Sequence, residues 1–328
     1  MPVLDESHDF AHPVEGDRAW SESYYFNCFD PDVDAGFFTR CGIRPNDGTM
    51  DIGLSFWRPG GGLAGLGAIK EQRVMVDDDL EVGPVRYERL EPLKRWRITA
   101  RGDARAGHSG MRGGATVPVA CDVVFEALCP AMGADGQGRD ASDATSAQTR
   151  LSVGKGHLEQ AGRWTGWIEV DGERHVLGPQ ARGNRDKSWG PRRWGGPKMW
   201  RWFSINIDDH THFGGIRIGT DAGDLHRGWV WTQRQHASIA RWDVRTETED
   251  DGITHKISHV TATDKKGRTH ELRADLLRVD PGPPGIRPNA TLLNEGLARW
   301  TYHGTAGYGI SEYLHQLDGE AKPVVPIE

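Results

Sequence analysis

The sequence predicts an all-β protein built from antiparallel barrels or sandwiches. Alternation of apolar and polar residues recurs along the chain, whereas the 3.6-residue period of amphipathic helices is hard to find. Tight polar turns separate the alternating segments, among them residues 250–252 and 264–267. With 43 glycines in 328 residues, the chain can also bend sharply and form β-bulges. Many short strands joined by such turns are typical of antiparallel β-domains.

The first half contains the clearest amphipathic strand, at residues 116–128. Its alternation places one set of residues on a single apolar face: Val117, Val119, Cys121, Val123, Phe125 and Ala127. Shorter strands are predicted at residues 50–57, 72–76, 85–90 and 96–101. Residues 60–67 are glycine-rich but lack the Lys and Ser/Thr of a phosphate-binding loop, so they are predicted to form a flexible loop.

The second half continues the pattern of strands and turns. Residues 164–170 lead into Asp171-Gly172, which is a signal for a β-hairpin. Further strands are predicted at residues 199–207, 213–218, 228–233, 238–248, 254–263 and 269–277. Residues 130–148 are rich in Gly, Ala, Asp and Ser and predict a mobile loop or linker. A domain boundary is therefore expected at residues 160–180, giving domains 1–165 and 166–328.

Composition and charge exclude several classes of protein. The 40 basic and 47 acidic residues give a net charge of −7, which argues against binding to nucleic acid or anionic membranes. No apolar run is long enough to span a membrane, and residues 1–16 lack the apolar segment of a secretory signal. The four cysteines have no CxxC spacing, which favours free thiols in a reducing cytoplasm over a disulfide. The oligomeric state is left open, with a homodimer as one arrangement.

The most informative stretch is residues 183–194. It combines one acid, Asp186, with four cations, the hydroxyl of Ser188 and the indoles of Trp189 and Trp194. A carboxylate among indoles can serve as a proton donor or acceptor beside an apolar ligand, with Arg185 tuning its pKa. The alternative is a salt-bridged turn between two sheets, which the residues alone favour.

Two further groups are candidates on the strength of strand alternation. Tyr308 and Glu312 share a face, where a barrel-facing carboxylate would be a general acid and a solvent-facing one would need no role. Trp229 and Trp231 also share a face and would form a flat wall for a ring or polyene, although core packing is the favoured interpretation.

Four histidines of the second half are candidates for metal ligands or site residues. His210 and His212 have the spacing of a metal-ligand pair, but a solvated hairpin turn is the favoured interpretation, and no metal site is predicted. His226 is expected in a turn and His236 in solvent.

Several of these segments together resemble a known superfamily. Residues 183–192 are similar to the G-x-R-D-x-S-W-G-x-R block of two-domain lipocalin-like proteins, which include carotenoid 1,2-hydratases, tocopherol cyclases, certain Diels-Alderases and AttH-like proteins. Residues 157–163 resemble the (Y/H)-x-E-Q-x-G stretch, residues 307–313 the G-x-G-x-x-E end of the last strand, and residues 20–27 the opening strand. Asn184 and Lys187 stand where such proteins often carry histidine, so no mechanism with a histidine at these positions is expected.

The resemblance implies two side-by-side lipocalin-like antiparallel β-barrels with a ligand cavity near their junction. It further implies hydration, dehydration, isomerisation or cyclisation of a hydrophobic isoprenoid, steroid or polycyclic molecule without a cofactor. Asp186 and Glu312 are then the candidate catalytic acids or bases, and Arg185 and Tyr308 would orient them. The expected ligand-binding residues are Trp189, Trp202, Trp229, Trp231, Tyr25, Asn27, Glu159 and Gln160. A non-catalytic carrier of an apolar ligand and a β-protein that binds other proteins are the alternatives.

Overall fold

A computed structural model describes residues 1–107, 114–138, 144–282 and 285–328. The chain forms two compact units. One, called the sheet unit, comprises Val3–Gln137 and Gly154–Arg192; the other, called the barrel unit, comprises Met1–Pro2, Gly138–Val153 and Arg193–Glu328. The described residues are almost entirely β-structure, so the predicted all-β class is confirmed.

The sheet unit contains the first twelve strands of the described chain. They are β1 (Trp20–Asp30), β2 (Ala35–Arg44), β3 (Thr49–Trp57), β4 (Leu63–Glu71), β5 (Leu80–Val82), β6 (Val85–Glu91), β7 (Arg95–Ala106), β8 (Thr116–Ala127), β9 (Met132–Asp135), β10 (Gly156–Val170), β11 (Glu173–Val176) and β12 (Arg182–Pro191). Their order is β11-β10-β12-β1-β2-β3-β4-β7-β6-β5, with β8 paired to both β10 and β7, and β9 paired to β10. Short 3-10 helices span Glu6–Asp9 and Pro45–Asp47.

Aromatic side chains form much of the core of the sheet unit. The buried Trp164 ring meets Phe37, Phe125 and Phe26 edge-on, at centroid distances of 5.0, 5.4 and 6.0 Å. Such edge-to-face pairs add to the burial of large apolar area. The apolar face predicted for residues 116–128 points into this core, as the alternation requires.

In its described residues, the barrel unit holds one α-helix, α1 (Ala144–Ser152), and eight strands. These are β13 (Met199–Asn206), β14 (Thr211–Thr220), β15 (Gly223–Thr232), β16 (Gln235–Thr248), β17 (His255–Asp264), β18 (Thr269–Pro281), β19 (Thr291–Tyr302) and β20 (Thr305–Gln316). They close into an antiparallel barrel in sequence order, with β20 paired to β13. Phe203, Trp242 and Trp300 pack in its interior.

Most predicted strands are present, and the hairpin at Asp171-Gly172 is confirmed. Both turn residues have positive φ, 58° and 82°, as a type I′ turn between β10 and β11 requires. The predicted strand at residues 72–76 is wrong, because these residues form no strand. Position 165, the expected domain boundary, lies within β10, and the division into domains 1–165 and 166–328 stays a prediction.

Two segments predicted as loops are ordered elements. The loop predicted for the glycine-rich residues 60–67 is wrong from Leu63 onwards, because these residues belong to β4, which pairs along its whole length with β3. In residues 130–148, β9 pairs with β10 and α1 begins at Ala144, while residues 139–143 lie outside the described part of the chain. Small residues do not by themselves make a segment flexible, because glycine is also tolerated where strands pack closely.

The thiol prediction agrees with the structure. All four cysteines are described, and each is buried and free of disulfide bonds. In the part of the chain that the structure describes, no helix combines the length and the hydropathy that a membrane span requires.

Candidate functional site

The stretch predicted as a turn is a central strand of the sheet unit. β12 pairs along its length with β1 on one side and β10 on the other, so the turn interpretation of residues 183–194 is wrong. Successive side chains of a strand point to opposite faces. Arg185, Lys187 and Trp189 therefore share one face, and Asp186 and Ser188 share the other.

Arg185 forms a buried ion pair with Asp9 and not with Asp186. Its Nη1 donates to Asp9 Oδ1 at 2.6 Å, and its Nε donates to Gln160 Oε1 at 2.8 Å. Burial opposes ionisation of Asp9, but Arg185 and further donors outweigh it and lower the Asp9 pKa. The proposed pairing of Arg185 with Asp186 is therefore wrong, because the two side chains lie on opposite faces of β12.

Lys187 anchors the N-terminal segment to the same face. Its Nζ lies 2.6 Å from Glu22 Oε1 and donates to the carbonyl oxygen of Phe10 at 2.6 Å. The Glu22 carboxylate also accepts the backbone N–H of His12 at 2.9 Å. Burial lowers the Lys187 pKa, and Glu22 opposes that effect. This network stabilises the position of residues 8–12.

Trp189 completes this face by stacking rather than by lining an open wall. Its ring lies parallel to that of His12 at a centroid distance of 3.8 Å and to that of His8 at 5.6 Å. The indole also belongs to a buried cluster with Leu4 and Trp20. Its role in ligand binding stays a prediction.

The opposite face of β12 brings three predicted site residues together. Asp186 lies directly across from Tyr25 on β1 and from Glu159 on β10. Side chains in directly opposed positions have Cβ atoms about 4.5–5.5 Å apart. His157, two residues from Glu159 on the same face, contacts Asp186 through its Nε2 and lies 3.6 Å from Glu159 Oε1. Tyr25, Asp186, Glu159 and His157 form what we call the acid–base row.

The charge state of His157 follows from this arrangement. Burial disfavours its protonated form, but the Asp186 carboxylate, with its hydrogen bond, and the Glu159 carboxylate outweigh burial and raise the His157 pKa to about 9. The ring is therefore an imidazolium at neutral pH. Its side chain is 25% exposed and that of Asp186 16%, whereas Glu159 is buried. The row thus holds one transferable proton between two carboxylates.

The same three groups are the ones that could hold a metal ion. Within the described residues, one nitrogen of His157 and one oxygen each of Glu159 and Asp186 all lie within 4.8 Å of one another. A metal would need the imidazole in its neutral form, because only the unprotonated nitrogen is a ligand. The raised pKa means that metal binding would have to displace the proton held by His157 and Asp186. The solvated-turn interpretation is wrong for His212, which is buried on β14 with Nδ1 2.9 Å from Asn206 Oδ1, whereas His210 is exposed.

Asn27 and Gln160, two expected ligand-binding residues, are engaged by the protein itself. Asn27 Oδ1 accepts the backbone N–H of Asn184 at 3.1 Å. Gln160 donates through Nε2 to the carbonyl oxygens of Leu93 and Cys129, both at 2.8 Å. These contacts connect neighbouring strands and loops of the sheet unit.

The remaining predicted residues belong to the barrel unit. Tyr313 lies in the barrel core, so Glu312 and Tyr308 point to the outer face, and the barrel-facing position considered for Glu312 is wrong. Trp200 Nε1 donates to Glu312 Oε1 at 2.7 Å. Val230 faces the core, so Trp229 and Trp231 share the outer face, and Trp229 is fully buried.

Trp202 is buried on the outer face of β13, and its role in ligand binding stays a prediction. Two interpretations of histidines in this unit are corrected. His226 lies within β15 and accepts the backbone N–H of Trp242 at 3.1 Å, so it is not in a turn. His236 lies on β16 and is only partly exposed, and burial lowers its pKa.

Sequence reasoning missed His157 as a site residue. Its signal was the alternation His157-x-Glu159, which places both side chains on one face of a strand. The pairing of that strand with β12 depends on residues nearly thirty positions apart and has no local signature.

Comparisons with known proteins agree with this architecture. Residues 5–317 match the family model described as "Domain of unknown function (DUF7064)". The chain belongs to this family. No curated protein sequence matches it.

Solved structures resemble it at low sequence identity. A candidate AttH protein from Nitrosomonas europaea superposes with a TM-score of 0.62 and 14% identity, covering 96% of this chain and 99% of that one. Kievitone hydratase from Nectria haematococca superposes with a TM-score of 0.56 and 10% identity, covering 91% of this chain and 90% of that one. The structure of CghA with Sch210972 superposes with a TM-score of 0.57 and 11% identity, covering 91% of this chain and 89% of that one. These neighbours match the superfamily named from the sequence, and at such identities they establish the fold alone.

Proposed function

We propose that this protein is a cofactor-independent acid–base enzyme, a lyase or an isomerase/cyclase, acting on a hydrophobic isoprenoid, steroid or polycyclic molecule. The observation that carries the proposal is the acid–base row, with a protonated His157 held between Asp186 and Glu159. The likeness to kievitone hydratase and to CghA supports this class of chemistry. One fold serves many functions, so this likeness supports the proposal only together with the acid–base row.

Asp186 is the proposed proton donor or acceptor, and His157 replaces Arg185 as the group that orients it. In a dehydration, the His157–Asp186 pair would give its proton to the departing hydroxyl group of the substrate. The Glu159 carboxylate would take a proton from the adjacent carbon, so that a C=C bond forms and water leaves. Hydration is the same sequence in reverse. General acid–base catalysis of this kind contributes about 10²–10⁴-fold to a rate.

The first experiment is native mass spectrometry of freshly purified protein, followed by organic extraction and identification of any bound compound. The compound is then incubated with protein in D₂O, because proton transfer to carbon leaves deuterium in the product. Asp186→Asn and His157→Gln should abolish exchange and turnover while ligand binding and folding persist. Glu169→Gln, on the same β10 but outside the row, is the matched control and should be fully active.

Glu312→Gln tests the second proposed acid. Loss of turnover in this variant would assign it a role, with Tyr308 as its neighbour on the strand. Full activity of both Asp186→Asn and Glu312→Gln would refute the enzymatic assignment. A ligand recovered unaltered, without deuterium, would favour the alternative function, a carrier of an apolar ligand.

We also infer that the sheet unit is itself a second lipocalin-like barrel. The support is its pairing, which runs β10-β12-β1-β2-β3-β4-β7-β8 and returns to β10. The contact between β4 and β7 is short, with Ala64 opposite Ala106 and Gly65 opposite Arg105. Hydrogen-exchange protection of these amides comparable to that of β7 and β8 is expected, and rapid exchange there would contradict closure.

A further inference from the structure

Arg201 is a buried cation that faces the interior of the closed barrel. Arg201 lies two residues before Phe203 on β13, so its side chain shares the inward face with Phe203, which lies in the barrel core. The guanidinium carbon of Arg201 lies 4.1 Å from the centre of the Tyr313 ring. Its hydrogen bonds go to the main-chain oxygens of Trp200 at 2.8 Å and Leu314 at 3.5 Å. Within the described residues, no carboxylate oxygen lies within ion-pair distance of it. Burying a charge without a counter-charge costs free energy, so we expect a bound molecule to supply a negative charge here.

Unpartnered polar atoms surround the same ring of Tyr313. Ser311 and His315 lie two residues to either side of it on β20, and Asn294 lies directly opposite on β19. All three are buried, and the described residues provide no partner for Ser311 Oγ, for either ring nitrogen of His315, or for either amide atom of Asn294. Buried polar groups in native proteins are almost always hydrogen-bonded, so this concentration of exceptions indicates a ligand.

Arg217, the neighbouring arginine on β14, is paired with carboxylates at the end of the barrel where Arg201 and His315 lie. Arg217 lies directly across from Arg201 and is held by carboxylates, Asp224 at 2.7 Å and Glu328 through two contacts of 2.5 and 2.8 Å. A guanidinium presents parallel N–H donors that match the two oxygens of a carboxylate. Arg201 presents the same fork without such a partner.

The size of the ligand is limited by the core beneath it. Phe203 packs against Trp242 at a centroid distance of 5.3 Å and against Trp300 at 5.6 Å. These rings fill the barrel next to Arg201, so a long apolar tail has no path inward. Burial, then the charge of Arg201, lower the pKa of His315 to about 2, so its ring is neutral and offers one donor and one acceptor.

We propose that this end of the barrel is a binding site for a small carboxylate, with Arg201 as its counter-charge and with Asn294, Ser311 and His315 as hydrogen-bonding partners. The site lies wholly within the barrel unit and is independent of the acid–base row. Its occupant is a short organic acid or the carboxylate end of a compact metabolite.

The test is an NMR titration of the full-length protein with acetate, observing the ring nitrogens of His315. A saturable shift is expected in the wild-type protein, with affinity reduced at least tenfold in Arg201→Gln. Arg245→Gln removes an exposed arginine that points away from the core and should bind acetate as the wild type does. No saturable shift with acetate, or equal weakening by Arg245→Gln, would overturn the proposal. Phosphate binding as tightly as acetate would also overturn it, because the site would then recognise any anion.

A second variant protects the test against a failure of Arg201→Gln to fold. Asn294→Leu replaces an amide that has no described partner with an apolar group of similar size, so the fold should persist. If Asn294 contacts the carboxylate, its replacement weakens acetate binding severalfold. An unchanged affinity for acetate in this folded variant would refute the proposed site.

Discussion

Replacing Asp186 with Asn should remove most of the force that keeps His157 protonated. In the wild-type protein the His157 pKa rises from 6.5 to about 9 although burial acts in the opposite direction. At about 1.4 kcal/mol per pKa unit, this net shift corresponds to about 3–4 kcal/mol in favour of the imidazolium. Because burial opposes the shift, the two carboxylates together contribute more than this net value. Without the Asp186 charge, Glu159 at 3.6 Å remains. The His157 pKa is then expected to fall to 6.5 or below.

The assay is an NMR titration of the His157 ring in the wild type, Asp186→Asn and Glu169→Gln. A group whose pKa is raised on folding contributes stability that is fully present below its unfolded pKa and is lost as the pH rises through its folded pKa. The stability difference between wild type and Asp186→Asn should therefore be largest near pH 6 and shrink towards pH 9. A His157 pKa that stays near 9 in Asp186→Asn, or a stability difference that grows with pH, would refute the reasoning.

Three further predictions concern stability. Arg185→Met leaves the buried Asp9 with only the more distant Arg89, at 4.0 Å, and should cost about 3 kcal/mol in urea unfolding; adding Asp9→Asn should restore part of that loss, and strict additivity would contradict the pairing. His315 has a pKa lowered to about 2 by burial, so it should not titrate between pH 4 and 8, and the protein should lose stability as the pH falls below 6.5. In His315→Leu that loss should be smaller, and an unchanged acid profile would contradict the burial argument. Gly172→Ala should destabilise the protein by about 1 kcal/mol because φ is +82° there, and a neutral effect would exclude a type I′ turn.

Local sequence was sufficient for the strands whose stability depends on one buried face. Residues 116–128 show strict alternation, and the structure buries the predicted side. Asp171-Gly172 has the two residues that tolerate positive φ most readily, so the hairpin followed from backbone sterics alone. In both cases the determining interaction is either local or simply the exclusion of apolar side chains from water.

β12 could not be predicted in this way. Its sequence combines glycines, a proline and several charges, which are typical of turns. What makes it a buried strand is long-range: the charge of Arg185 is satisfied by Asp9, 176 residues away, and that of Lys187 by Glu22. Neither partner is identifiable without knowing which strands are neighbours. The same limitation hid His157, whose partner Asp186 lies on the adjacent strand.

The alternation of β12 separates structural from chemical roles within one strand. Arg185 and Lys187 face the core side and are engaged by the N-terminal segment, so their replacement should destabilise the protein. Asp186 faces the other way and shares a proton with His157, so its replacement should change protonation while the fold persists. The motif that carries the superfamily resemblance thus contains two independent devices at alternate positions. Loss of activity in an Arg185 variant would therefore say nothing about catalysis, whereas loss of activity in a folded Asp186 variant would be direct support for it.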